Sequence, residues 1–462
     1  MSDLFSMLRS TANSLDAQRF GLDVVGQNIA NVNTPGYVRR VALLGAVPPV
    51  GRWSAGEGAE ILGVRAIRDR LLDRRVRDES SAQQAASAQA DALAVLESLL
   101  GPFGGTIDRD LADFFDAFSA LAESPTSTSV RLGVTSEGQA LAASFRDLAG
   151  RFADAGRDLD IRVRSVVDRV NTLAQRLAEL NATLAGMTPA SAEALHVQDE
   201  ANLVLEELSS LVDVQAIERE GGGFDVAFGS GRLLVVGDQA SGMGLADRAG
   251  TGFADISAGG TIVTGEVRGG LLGGLLSVRD TNVPAYQAQL DELAYAVVEQ
   301  VNAQHRAGYD LDGTAGQDFF VSLGGVGGAA GAMALNPALA ASGGDRLVAA
   351  AGAPGAAGDN TNARALAALR DVRAVDGTQT FEEAWAGLVT AVGRDAEAAT
   401  QAAALRAEIV QQVLNLRDSV SGVSLDEEAA DMLRFQRAYE ANARFFQTVD
   451  ETLATLMELV GA

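Results

Sequence analysis

The sequence predicts a mainly α protein with a smaller β part: terminal helices paired as a coiled coil, a discontinuous helical-bundle domain, and an inserted β-rich outer domain. Three observations predict it. Both chain ends carry an apolar residue at every seventh position, long helical patterns flank the middle, and around Val212 the periodicity changes from helical to alternating.

At the C-terminal end Leu425, Met432, Tyr439, Phe446, Leu453 and Val460 are seven apart, with Phe435, Val449 and Leu456 three positions further on, the seam of a coiled coil. At the N-terminal end Leu8, Leu15, Leu22 and Ile29 keep the same step. A step of seven falls just short of two helical turns, so the stripes stay in contact only if the helices wrap around one another or around neighbours. Ser424 and Glu427 form an S-x-x-E capping pattern, and Asp426 to Glu428 suit the positive end of the helix dipole. This last helix is then about 36 residues, or roughly 54 Å, long.

The first helix stops in NIANVNTPGYVRR, where Pro35-Gly36 favours a type II turn. Tyr37 to Ile67 then reads as extended chain or a hairpin. Helical patterns follow over Arg68 to Leu100, Asp108 to Glu123, Val130 to Leu184 with interruptions, and Ser191 to Leu211. From Val212, VDVQAIEREGGGFDVAFGSGRLLVVG alternates between glycine clusters, as β-hairpins do, and FADISAGGTIVTGEV continues the pattern. A helix from Val283 to Ala307 intervenes before β structure is expected again between Phe319 and Val348, and Phe381 to Val420 closes the middle as one helix. The nested order assigns residues 1–45 and 424–462 to the terminal coiled-coil domain. It assigns 46–211, 275–310 and 359–423 to the helical domain, and 212–274 and 311–358 to the small β-rich outer domain.

Composition narrows the function. The 462 residues carry a net charge of -25, which opposes a nucleic-acid or anionic-membrane partner. No apolar run approaches the roughly 18 to 20 residues of a membrane span, and the N-terminus lacks the basic and apolar regions of a cleaved secretion signal. There is no cysteine and every one of the 36 basic residues is arginine, so thiolate, zinc-ribbon, Schiff-base and P-loop lysine chemistries are excluded. His196 and His305 are the two histidines, read as surface or packing residues rather than metal ligands. YDLDGTAGQDFF fails as a calcium loop, because Gly313 comes too early and the twelfth position is not Glu. RGGLLGGLL is not a dinucleotide fingerprint, and no nucleophile elbow is present. Neither a catalytic site nor a cofactor is expected. Arg65, Arg68, Arg70, Arg74, Arg75 and Arg77 form a local basic patch among Asp69, Asp73, Asp78 and Glu79. It reads either as a solvated helix with i,i+4 ion pairs or as a contact strip for an acidic neighbouring subunit.

Several stretches carry a resemblance. NIANVNTPGYVRR at 28–40, with Asn28, Asn31, Asn33, Thr34, Pro35, Gly36 and Tyr37 as the motif, resembles the segment after the first helix in bacterial flagellar axial proteins: rod, hook and hook-associated subunits. QRAYEANARFFQTVDETLATL at 436–456 is similar to their shared C-terminal helix. Within that superfamily, residues 4–18, 124–131, 268–320, 358–371 and 421–436 resemble the hook-associated family that forms the hook-filament junction.

The resemblance implies an extracellular structural protein of the flagellum with neither catalysis nor a cofactor. It implies export, unfolded and without a cleaved signal peptide, through the flagellar type III apparatus, and assembly as a ring. The implied partners are further copies of itself, the hook protein, the second hook-associated protein, and an export chaperone on the helix Leu425 to Val460; nucleic acid and membrane are not among them. In the family, paired terminal helices line the axial channel and β domains face outwards. The β excursions here are small, so one outer domain of longer members is expected to be reduced or absent. A hook or distal-rod subunit would share both ends but has a mostly β middle. A secreted enzyme or adhesin with flagellar-type ends would need an active-site constellation in the centre.

Overall fold

The computed structural model describes residues 2–48, 58–101, 107–189 and 191–461. Helix α1 (Ser2–Ala30) leads into an antiparallel hairpin of β1 (Arg40–Ala46) and β2 (Ala59–Ala66), the second of the two alternatives left open by the sequence. Then come α2 (Arg70–Leu99), α3 (Ile107–Glu123), α4 (Thr128–Ala185) and α5 (Ala192–Leu211). Asp69 starts α2 by accepting from the backbone N–H groups of Leu71 and Leu72, two of the four that a helix start leaves unpaired.

α4 runs unbroken for 58 residues, about 87 Å. The interruptions expected within it do not occur. At Gly138 a Cβ would lie 2.5 Å from the ring of Phe319, so this glycine makes room for a packed neighbour instead of ending the helix. Phe145, Phe152, Leu159, Val163, Val170 and Leu177 recur on its buried side at helical spacing.

Seven short strands follow α5. β3 (Val214–Glu218), β4 (Phe224–Phe228), β5 (Arg232–Val236) and β6 (Gln239–Ala240) form one antiparallel sheet in chain order, and β7 (Gly244–Asp247), β8 (Ala254–Ala258) and β9 (Thr261–Ile262) form another. Phe224, Val226, Phe228, Leu234 and Val235 face the core of the helices, so the first sheet shares one apolar interior with them. The second is fastened by charge. Arg279, fully buried, donates to Asp160 of α4 at 2.6 Å, to the Ala254 carbonyl at 2.9 Å and to its neighbour Asp280. Its guanidinium also lies over the Phe253 ring.

After α6 (Gly270–Ser277), a π-helical turn at 278–282 places Arg279 and passes directly into α7 (Val283–Arg306). The Gly/Ala-rich stretch beyond it corrects the expectation of β structure over 311–358. It holds α8 (Ala329–Ala332), α9 (Pro337–Ala340), turns and isolated bridges, and no strand among its residues. Weakly patterned, small-residue chain cannot stabilise a ladder by cross-strand contacts, and polar side chains of the helices hold it instead. Asn302 accepts from the N–H groups of Phe319 and Phe320 and donates to the Phe320 carbonyl. Arg131, almost fully buried, donates to the carbonyls of Pro125 and Val348. Asn362 donates to the Ala349 carbonyl.

α10 (Thr361–Ala368) precedes α11 (Phe381–Ser421), which opens with a complete capping box between Thr380 and Glu383 and packs along α2. α12 (Leu425–Gly461) ends the chain lying against α1. A second, small apolar cluster of Val24, Val64 and Leu195, with Phe20, Ala42 and Ala66 around it, joins α1 to the hairpin and α5.

Candidate functional site

The sequence motif at 28–40 closes a polar joint where α1, the hairpin, α5 and α12 meet. Thr34 to Tyr37 form the predicted type II turn: Pro35 and Gly36 are its central residues, Gly36 has φ +77°, and the Tyr37 N–H donates to the Thr34 carbonyl at 3.2 Å. A Cβ at Gly36 would also lie 2.5 Å from Leu203. Asn31 donates to the Gln27 carbonyl and accepts from the Thr34 hydroxyl, while Asn33 is exposed.

Asn28 is 1% exposed and uses all four of its hydrogen-bonding positions. Its amide donates to the Arg40 carbonyl at 2.8 Å and to Glu428 Oε2 at 2.9 Å. Its carbonyl oxygen accepts from the Arg40 N–H at 3.0 Å and the Tyr37 hydroxyl at 2.9 Å. Burial raises the Tyr37 phenol above its ordinary pKa, with the Arg40 charge opposing that rise, so the hydroxyl stays a donor.

Glu428, also 1% exposed, takes a second bond from Arg39 Nε at 2.7 Å, and Arg39 reaches Glu427 at 2.7 Å as well. The capping pattern at Ser424 is therefore only half made. Ser424 Oγ accepts from the Glu427 N–H at 3.5 Å, but the Glu427 carboxylate turns to Arg39. On the other side of the joint, Asp199 of α5 receives Arg40 and Arg68, each at 2.7 Å. A carboxylate buried between two guanidiniums is neutralised as well as held, which is what allows it to leave water. Sequence reasoning missed Arg39, Arg40, Asp199 and Glu428 as a unit; the arginine pair after the turn and the acidic triplet at 426–428 were the signals available.

The apolar stripes take positions partly different from the expected ones. On α12 Met432, Phe446 and Leu453 are half-buried and Val449 is buried, whereas Leu425 and Tyr439 are 53% and 39% exposed; the Val460 side chain lies outside the described residues. On α1 the face buried within the chain is not the leucine ladder. Leu8, Leu15, Leu22 and Ile29 are half-buried, while Ala17, Gly21, Val24 and Asn28 form the buried face. At Gly21 a Cβ would lie 2.5 Å from the ring of Phe435, so close approach of the two helices needs small residues on one of them.

The remaining candidates have structural roles. His305 is fully buried; Nδ1 meets the Gln317 carbonyl at 2.5 Å and Nε2 accepts from the Ala349 N–H at 2.9 Å, so the ring is neutral with its proton on Nδ1. Burial pushes its pKa down to about 4. His196 is exposed on α5. Asp310 accepts from the N–H groups of Asp312 and Thr314, which makes the suspected calcium loop a self-closed turn. Among the described residues no group of three or more His, Asp or Glu is placed to hold a metal ion, and no helix is long and apolar enough to cross a membrane.

Comparison with known proteins gives a consistent set of similarities. Residues 93–320 match the family described as the flagellar hook-associated protein FlgK helical domain. Residues 417–459 match the flagellar basal body rod FlgEFG protein C-terminal family, and residues 8–37 the flagella basal body rod protein family. The chain is 23% identical over 545 residues to flagellar hook-associated protein 1 of Escherichia coli (strain K12), covering 98% of this chain and 100% of the relative. To flagellar hook-associated protein 1 of Bacillus subtilis (strain 168) it is 28% identical over 505 residues, covering 100% and 99%. The solved structure of the flagellar hook junction protein FlgK from Burkholderia pseudomallei shares the fold, with a TM-score of 0.67 at 16% identity over 75% of this chain and 100% of that one.

Proposed function

Because the chain belongs to the flagellar hook-associated protein 1 family, a family of structural flagellar proteins, we propose that it is the subunit of the junction between hook and filament. In this reading it leaves the cell through the flagellar type III apparatus without a cleaved signal and forms a ring with further copies of itself. The hook protein lies on one side and the second hook-associated protein on the other. An export chaperone holds α12 before assembly.

The observation that carries this reading is the unfinished packing of the chain ends. α1 and α12 pair and are pinned by Asn28 and Glu428, yet Leu433, Phe445 and Met457 of α12 remain 54%, 51% and 62% exposed. Two helices cannot cover every side of such a surface, and further helices from neighbouring copies would complete it as a coiled-coil assembly. Residues 1–45 and 424–462 then act as the joining domain. The helical body and its β sheets stand outside it, with 311–358 counted in the helical body.

Labelling the chain in flagellated cells tests the proposal. Label confined to the boundary of hook and filament supports it, and a strain without the chain should make hooks that lack filaments and shed flagellin. Label along the whole hook, or filaments that form without the chain, would overturn it.

A further inference from the structure

Among the described residues Asp376 is the one residue other than glycine with a positive φ, +52°. It and Gly377, at φ +69°, are the central pair of a tight turn, in which the Thr378 N–H donates to the Val375 carbonyl at 3.1 Å. Val375 and Gln379 bridge across its base, and the capping box of α11 begins at Thr380. Asp376 and Gly377 are exposed. The Asp376 carboxyl has no hydrogen bond or ion pair among the described residues, and the Gly377 N–H has no acceptor there.

The sequence holds one other Asp-Gly pair, Asp312-Gly313, which also lies on a turn with its aspartate exposed. There both groups are engaged. Arg346 Nε donates to the Asp312 carboxylate at 3.2 Å, and the Gly313 N–H donates to the Asp310 carbonyl at 3.2 Å. From this contrast we propose that Asp376-Gly377 is a covalent modification site, where the backbone rearranges to isoaspartate without an enzyme. The Gly377 nitrogen forms a bond to Cγ of Asp376, the Cγ–O bond breaks, and the carboxyl oxygen leaves as water with the amide proton. Glycine suits the step because no Cβ crowds the attacking nitrogen. Water then opens the five-membered imide at one of its two carbonyls. Opening at Cγ restores aspartate, whereas opening at the main-chain carbonyl breaks its bond to Gly377 and leaves the chain running through Cβ and Cγ. Water is lost and regained, so no oxidant, reductant or cofactor is consumed. The product has one extra main-chain atom inside the turn, beside the start of α11.

Ageing the purified full chain in mildly acidic buffer, which favours departure of the carboxyl oxygen as water, tests this. A synthetic peptide of residues 371–381 ages alongside as the unfolded reference. Peptide mapping with electron-transfer fragmentation distinguishes isoaspartate from aspartate at equal mass. Isoaspartate should form at 376 at least about tenfold faster than at 312, because rates fall steeply when reacting groups are held apart. In Asp376→Asn the same ring closure expels ammonia, a step that needs no protonated acid, and isoaspartate at 376 should form faster still at neutral pH. Equal rates at the two Asp-Gly pairs would overturn the proposal, as would an Asp376→Asn chain that rearranges no faster. So would a folded chain without isoaspartate at 376 by the time the peptide has half converted, since the turn would then protect the pair.

Discussion

α4 and α12 are both long helices, and they are finished to different degrees. α4 buries 23 of its 58 residues, including a run of aromatic and aliphatic side chains locked against α3, α5, α7 and both sheets. In the 37 residues of α12 only Glu428 and Val449 are buried among the described side chains. Helical stability comes mostly from packing of an amphipathic face, so α4 is stable within one chain while α12 depends on what surrounds it. The difference teaches that one molecule holds a completed interior and a terminal helix whose surface stays largely uncovered.

The largest stability change should come from the completed part. Phe319 is fully buried and touches Phe114, Phe118, Phe320 and His305, so Phe319→Ala should cost about 3 to 5 kcal/mol in urea unfolding of the monomer. A cost below about 1 kcal/mol would mean that this interior is not close-packed.

Acid should come next. The folded-state pKa of His305, about 4, lies below the ordinary value of 6.5, so the unfolded chain takes up a proton first as the pH falls. The stabilisation is complete above about pH 6.5 and is lost toward about pH 4. Between pH 7 and pH 5 the loss from this group should be about 2 kcal/mol. In NMR the His305 ring should remain neutral at pH 5 in the folded protein; a ring that titrates near pH 6.5 would break the comparison.

A smaller, local change should follow Asn28→Ala, which strands buried partners on both sides of the joint and should weaken the pairing of α1 with α12 by about 1 to 3 kcal/mol. Trypsin should then cut faster at Arg9, Arg19 and Arg434, while the main unfolding transition stays in place. If that transition moves with the cleavage rate, the ends and the body are one cooperative unit.

Least of all should Tyr439→Asp affect the monomer, within about 0.5 kcal/mol, because the side chain is already partly in solvent. Motility should nevertheless be lost. An aspartate facing apolar neighbours in an assembly must shed its hydration without a partner. Normal filaments in this mutant would remove Tyr439 from the proposed seam.

Legibility in the sequence followed the kind of interaction. Helices with strong apolar periodicity, such as α3, α5 and α11, could be placed within a few residues, and the Thr34–Tyr37 turn was readable because Pro and Gly restrict the backbone so strongly. Gly138 of α4 is explained only by a ring supplied from residue 319, which no local reading can supply. The 311–358 segment gave no periodic signal, because distant side chains such as Asn302 and Arg131 hold its backbone. The polar joint was half visible: its turn could be read, but the meeting of Asn28 with Glu428 and of Arg40 with Asp199 depends on the whole topology.

The bond from Asn28 to Glu428 spans 400 positions of the chain. As the chain is synthesised α1 comes first, and it has no mate until almost every other residue has followed. Closing so long a loop is entropically expensive, although the cost grows only slowly with length. Contacts of this separation form late. The knot of Asn28, Arg39 and Glu428 can therefore tighten only once α12 has followed, and until then α1 lacks the helix it pairs with.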